Sequence, residues 1–134
     1  MIAADTSVAV AAALPWHYAH GAARTALSRR TRLLAHVAVE TYSVLTRLPP
    51  PQRVTPAVAH AYLTGTFLLP PLAPTGAEYE RLIEFATNEG ISSGAIYDAL
   101  VGATAREAEA TLLTLDRRAV PTYQLLGLDY RLLA

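Results

Sequence analysis

The chain has 134 residues, of which 52% are hydrophobic and 16% charged, with no formal net charge; this balance excludes a polycation that holds nucleic acid by overall charge. It contains no cysteine, which excludes disulfides, thiolate zinc sites and cysteine nucleophiles and suits a reducing cytoplasm. All 11 Lys-plus-Arg residues are Arg, and one ordinary domain over residues 1–134 is expected, burying roughly two thirds of its unfolded surface.

The opening run Ile2 to Ala4 predicts a short buried strand that emerges at Asp5, with Thr6 and Ser7 starting a turn. The Ala-rich stretch around it lacks a basic leader and carries Asp5 inside the apolar run, so it does not predict a signal peptide. Trp16, Ala19, Ala23 and Leu27 recur at helical spacing and predict an amphipathic helix from Pro15 to about Arg30, flanked by Arg24, Arg29 and Arg30. Residues 33–37 (LLAHV) read as a second buried strand, followed by a helix from about Ala38 to Leu48 that Pro49, Pro50 and Pro51 terminate.

Thr55 followed by Pro56 predicts a capped helix to Leu68, since Thr accepts from the first turn and Pro gives up no needed donor there. A prolyl connector with a short strand around Phe67 to Leu72 comes next. Thr75 is expected to cap a helix to about Asn88 that Gly90 stops. Ser92 or Ser93 begins a helix to about Ala110, residues 111–115 (TLLTL) form a strand, 117–126 a short helix and 128–133 a last strand. Alternating strands and helices predict an α/β fold with a mainly parallel sheet, whose ligand site lies beyond the carboxyl ends of the strands. No run reaches the roughly 18 uninterrupted apolar residues that a bilayer span requires, so no membrane association is expected.

The acids carry the chemistry. Asp5 and Asp116 fall at strand ends, Glu40 follows an apolar run near a helix start, and Asp98 sits on a helix face lined by Gly94, Gly102 and Ala105. Glycine in a helix costs roughly 1 kcal/mol relative to Ala, so that face is read either as room for a close neighbour or as tight packing on the sheet. Each acid alone has a plain structural reading: an N-cap for Asp5, a solvated first turn for Glu40, local pairing with Arg117 and Arg118 for Asp116. Gathered together, two carboxylates about 4 Å apart repel by roughly 4 kcal/mol at an effective dielectric near 20. A hard divalent cation such as magnesium or manganese removes that repulsion and prefers oxygen donors. His17 and His20 are spaced i, i+3 without a third ligand, His36 falls in the expected second strand, and His60 lies within a helix; none belongs to a triad. No glycine-rich phosphate loop is present.

The segments DTSV at Asp5, VETYSVL at Glu40, IYDALVGATA at Asp98 and TLLTLDRRA at Asp116 resemble, in order and spacing, the PIN-domain ribonucleases, specifically VapC-type toxins of toxin–antitoxin pairs. The resemblance covers nearly the whole chain. It implies a three-layer α/β/α sandwich and Mg²⁺-dependent (Mn²⁺ possible) cleavage of structured RNA such as tRNA or rRNA. Asp5, Glu40, Asp98 and Asp116 would be the metal-binding catalytic acids, supported by the hydroxyls of Thr6 and Thr114. Some members carry another acid soon after the fourth, where this chain has Arg117 and Arg118. Those two, with Arg24, Arg29, Arg30 and Arg32, are candidates for phosphate contact. The family also implies a VapB-type antitoxin lying over the toxin, operator DNA reached only through it, and a homodimer. Trp16, Tyr42 and Tyr62 suit those contacts. A receiver-like phosphoacceptor would need paired acids at the first strand and a late Lys, and this chain has one Asp there and no Lys; a catalytically silent PIN-like interaction module is the other alternative.

Overall fold

A computed structural model describes residues 1–133. Four short strands form a parallel sheet in the order β2-β1-β3-β4, with β1 Ile2–Ala4, β2 Arg32–Leu33, β3 Thr111–Thr114 and β4 Tyr130–Leu132. Helices flank it in the α/β/α arrangement. The two central strands carry buried apolar centres, with Ala3, Ala4, Leu112 and Leu113 fully buried, as strands covered on both faces require.

The first helix corrects the turn expected at Thr6 and Ser7, and Asp5 is its N-cap. Where a turn was expected, α1 runs from Thr6 to Ala13, because the Asp5 carboxylate accepts the Val8 N–H and the Ala-rich run that follows is strongly helix-forming. The single helix expected over residues 15–30 is replaced by a turn after Leu14 and a short α2, His20–Ala26. The i, i+3, i+4 pattern survived that break because Ala19 and Ala23 are buried on either side of the α2 start. His17 Nδ1 accepts the Ala19 N–H and His20 Nδ1 meets the Ala11 carbonyl, so both imidazoles brace this corner.

A second correction concerns residues 33–37. Only Arg32 and Leu33 are strand; Leu34 bridges to Leu72, and α3, Ala35–Thr46, begins directly after it. A short continuous apolar run does not distinguish a buried strand from the buried start of a helix. His36 is therefore helical, one turn before Glu40. That single bridge is also all that forms of the strand expected around residues 67–72.

The remaining elements follow the expected signals more closely. Helix α4, Pro56–Thr66, is capped by Thr55, and α5, Gly76–Glu89, by Thr75 in a reciprocal contact with Glu78. Gly90 ends α5 in the left-handed conformation, φ 70°. Helix α6 is Ala95–Glu107, preceded by Gly94 rather than a serine cap, and α7 is Val120–Leu125, shorter than the expected 117–126. β3 and β4 are likewise one to three residues shorter than the runs expected at 111–115 and 128–133.

The packing is built on small residues. Ala9, Ala11 and Ala12 of α1 are buried against neighbouring elements, and Tyr62 reaches in from α4 to donate its hydroxyl to the Ala9 carbonyl at 2.6 Å. Gly102 has the same role on the other side. A Cβ there would stand 2.6 Å from Leu126 Cδ1 and 3.1 Å from Tyr123 Cδ1, so the small face beside Asp98 accommodates the α7 region rather than the sheet. Gly102→Val is expected to lower stability by about 1–3 kcal/mol through overpacking, read as a lower urea midpoint at unchanged slope; an unchanged midpoint would show that Leu126 and Tyr123 yield freely. Among the described residues, no helix is long and apolar enough to cross a membrane.

Candidate functional site

At the carboxyl ends of β1 and β3 the chain leaves the sheet at Asp5 and Asp116. Helix α3 brings Glu40 and the first turn of α6 brings Asp98 to the same place. The four acids line one cavity of about 140 Å³, together with Thr6, Ser7, Tyr97, Val101 and Tyr123. Residues separated by more than a hundred positions in sequence thus share one depression in the surface.

Asp5 is the buried floor, 4% exposed. Its Oδ1 accepts from the Ser7 hydroxyl and the Val8 N–H, and its Oδ2 from the Tyr123 hydroxyl at 3.3 Å. Burial pushes its pKa up, opposed by hydrogen bonds from Ser7, Thr114, Val8 and Tyr123. Tyr123 is itself raised, by burial first and then by the Asp5 and Asp98 charges, so it stays protonated and donates. Ser7 also accepts the Leu115 N–H at 2.8 Å, tying the β1 end to the β3 end.

The other three acids are partly open to solvent. The Asp98 pKa is raised by desolvation and then by repulsion from Asp116, Asp5 and Glu40, with Arg118 opposing. Asp98 thus lies within electrostatic reach of each of the other three acids. Asp116 is oriented through its backbone, whose N–H donates to Thr114 Oγ1 at 3.0 Å, while its Oδ1 accepts the Arg118 N–H at 2.9 Å. Glu40 Oε2 lies 3.1 Å from His36 Nε2. Thr6 Oγ1 is buried at the cavity wall without a hydrogen-bond partner.

Among the described residues, no group of three or more His, Cys, Asp or Glu side chains is drawn together closely enough to hold an ion. The donor set nonetheless fits a hard divalent cation in kind: carboxylate oxygens on one cavity, mutually repulsive, beside an unsatisfied hydroxyl. Glu40, Asp98 and Asp116 are partly exposed, and Asp5 is buried.

The basic residues divide. Arg118 stands beside the acids, its Nε 3.8 Å from Asp116 Oδ1, and its neighbour Arg117 is exposed. Arg30 and Arg32 line a separate cavity with Met1 and Ile2, at the amino ends of β1 and β2. Arg24 and Arg29 are exposed, and neither lines the acid cavity. Sequence reasoning missed Tyr123, Tyr97 and the tethering role of Ser7. Ser7 had a signal, a hydroxyl two residues after a strand-end Asp; the tyrosines had none, because their proximity depends on how α6 and α7 pack.

A family model for the PIN domain matches residues 2–123. The chain belongs to the PIN-domain family. Ribonuclease VapC40 of Mycobacterium tuberculosis is 51% identical over 132 residues, which cover 98% of each chain. Ribonuclease VapC27 of the same organism is 41% identical over 127 residues, 94% of this chain and 92% of its own. The crystal structure of M. tuberculosis VapC20, described as a sarcin–ricin-loop-cleaving toxin, superposes with a TM-score of 0.72 at 19% identity, covering 96% of each chain, and shows the shared fold. This PIN domain is thus closely related to VapC toxins of toxin–antitoxin systems.

Proposed function

We propose that this PIN domain is a Mg²⁺-dependent endoribonuclease, the toxin of a type II VapBC pair, which cleaves structured RNA, tRNA or rRNA, in the cytoplasm. The convergence of Asp5, Glu40, Asp98 and Asp116 on one cavity carries the reading, and half-identity to a VapC ribonuclease along almost the whole chain supports it. The four carboxylates would hold the ion, magnesium or manganese. Bound there, the ion supplies polarisation of the scissile phosphate and a lower pKa for an attacking water.

The chain's own groups prepare that chemistry. Ser7, Val8 and Tyr123 keep the Asp5 carboxylate in one orientation, and Thr114 fixes the backbone that presents Asp116. The free Thr6 hydroxyl is available to a water or carboxylate oxygen at the cavity wall. Arg118 and Arg117 hold the RNA backbone beside the acids, with Arg24 and Arg29 contacting more distant phosphates.

A VapB-type antitoxin neutralises the toxin and alone contacts operator DNA. Exposed Trp16, Tyr18, Val39 and Tyr42 provide apolar surface for it and for a homodimer contact, whereas Tyr62 is committed to the core. Induced expression of the unmodified chain is expected to arrest growth within a few generations and to leave new RNA 5′ ends, and co-expression of the antitoxin to restore growth. Continued growth with folded toxin accumulating would overturn the reading.

A further inference from the structure

The rim of the acid cavity carries an aromatic ring that none of the acid chemistry requires. Tyr97 immediately precedes Asp98, lines the cavity and is 55% exposed. Its ring lies parallel to the His36 imidazole, with centroids 5.5 Å apart and planes 5° from parallel. His36 is held in turn by Glu40. One face of the phenol ring is therefore backed by a braced imidazole, and the ring is still more than half open to solvent.

Four carboxylates in one cavity repel a polyanion, and Arg118 is the cation beside them. A neutral, polarisable contact holds an RNA strand close to the acids without adding charge, and so complements the arginine. A flat aromatic ring offers that to any nucleobase whose face is free. Bases inside an A-form helix are stacked on their neighbours and present no free face, whereas bases in loops, bulges and single strands do.

We propose that Tyr97, backed by His36, stacks a nucleobase next to the scissile phosphate. The proposal rests on the ribonuclease reading and names a substrate contact of that site. It needs the ring and not the hydroxyl, which makes no hydrogen bond among the described residues.

An oligoribonucleotide spanning a cut site mapped in total cellular RNA, with 2-aminopurine beside the cleaved bond, tests it. With magnesium, the unmodified chain is expected to quench the 2-aminopurine fluorescence on binding. Tyr97→Ala and Tyr97→Leu are expected to lose that quench and raise KM about tenfold or more, on the scale of one lost base stack, with a smaller change in kcat. Tyr97→Phe should keep both. Annealing a complementary strand should slow cleavage at least about tenfold, as a paired base offers no free face. An unchanged KM in Tyr97→Ala, a Phe variant as impaired as the Ala variant, or equal cleavage of the duplex would overturn the stacking role. So would an Ala variant that cleaves normally but escapes the antitoxin, which would assign the ring to a protein contact. If the unmodified, folded chain cuts no cellular RNA, the ribonuclease reading itself falls.

Discussion

Asp5→Asn is expected to lower RNA cleavage by roughly 100-fold or more, the scale on which one preorganised electrostatic group contributes, without lowering the metal-free melting temperature, because it removes a carboxylate whose pKa burial has raised. Asparagine serves as well as aspartate at a helix N-cap, so its amide oxygen can continue to accept the Val8 N–H that starts α1. What disappears is the buried carboxylate that Ser7, Val8 and Tyr123 hold in place. Asp5→Ala separates the two roles. It removes the cap as well, at about 1 kcal/mol, and strips the Ser7 and Tyr123 hydroxyls of an acceptor, so it should lose both activity and stability. Cleavage rates on total RNA alongside thermal melts check this; an Asn variant with near-normal cleavage would remove Asp5 from the reacting centre.

The second large effect concerns the ion. Asp5 and Asp98 both have pKa values raised in the folded chain, by burial first, and Asp98 further by its acidic neighbours. Between the ordinary carboxylate value and the raised one, the folded chain binds more protons than the unfolded chain, so stability falls as pH rises. Their contribution is fully present below the ordinary carboxylate range and lost as pH climbs through the raised values. In metal-free buffer the protein should therefore melt higher at mildly acidic pH than at neutral pH, until general acid denaturation intervenes.

Magnesium or manganese at neutral pH should reverse that loss. An ion present at about 100 times its Kd adds about 2.7 kcal/mol, or roughly 10 °C for a domain of this size. Asp98→Asn is expected to flatten the metal-free pH profile, raise the metal-free melting temperature at pH 7 and blunt the response to the ion. Calorimetric scans of both proteins across pH, with and without ion, decide it. Identical melting of the two with and without metal would show that no shared site exists.

What local chemistry specifies was readable in the chain. Thr55 with Pro56, Thr75 and Gly90 act through atoms within a few residues, and they bound helices α4 and α5 close to where expected. Residues 2–4 are a strand because a short apolar run ended by Asp5 suits the middle of a covered sheet, and in 111–114 the Leu112–Leu113 pair between β-branched threonines suits it likewise. Elsewhere local signals were ambiguous. Residues 33–37 are equally apolar as strand or helix, and the pairing of Leu34 with Leu72 sets where one becomes the other. The repeat Trp16, Ala19, Ala23, Leu27 matched a helical period across a chain corner, since burial depends on what packs from outside and not on the segment alone.

The order, spacing and chemical hardness of Asp5, Glu40, Asp98 and Asp116 were present in the primary structure and sufficed to suggest a family and a class of ligand. Their shared cavity, the Tyr123 hydroxyl that meets Asp5, and the packing of the Tyr97 ring on His36 at the rim came only from the assembled sheet and its flanking helices. The reason is range: caps and turns are settled by neighbours along the chain, whereas a buried carboxylate and its partners are brought together by packing between segments more than a hundred residues apart.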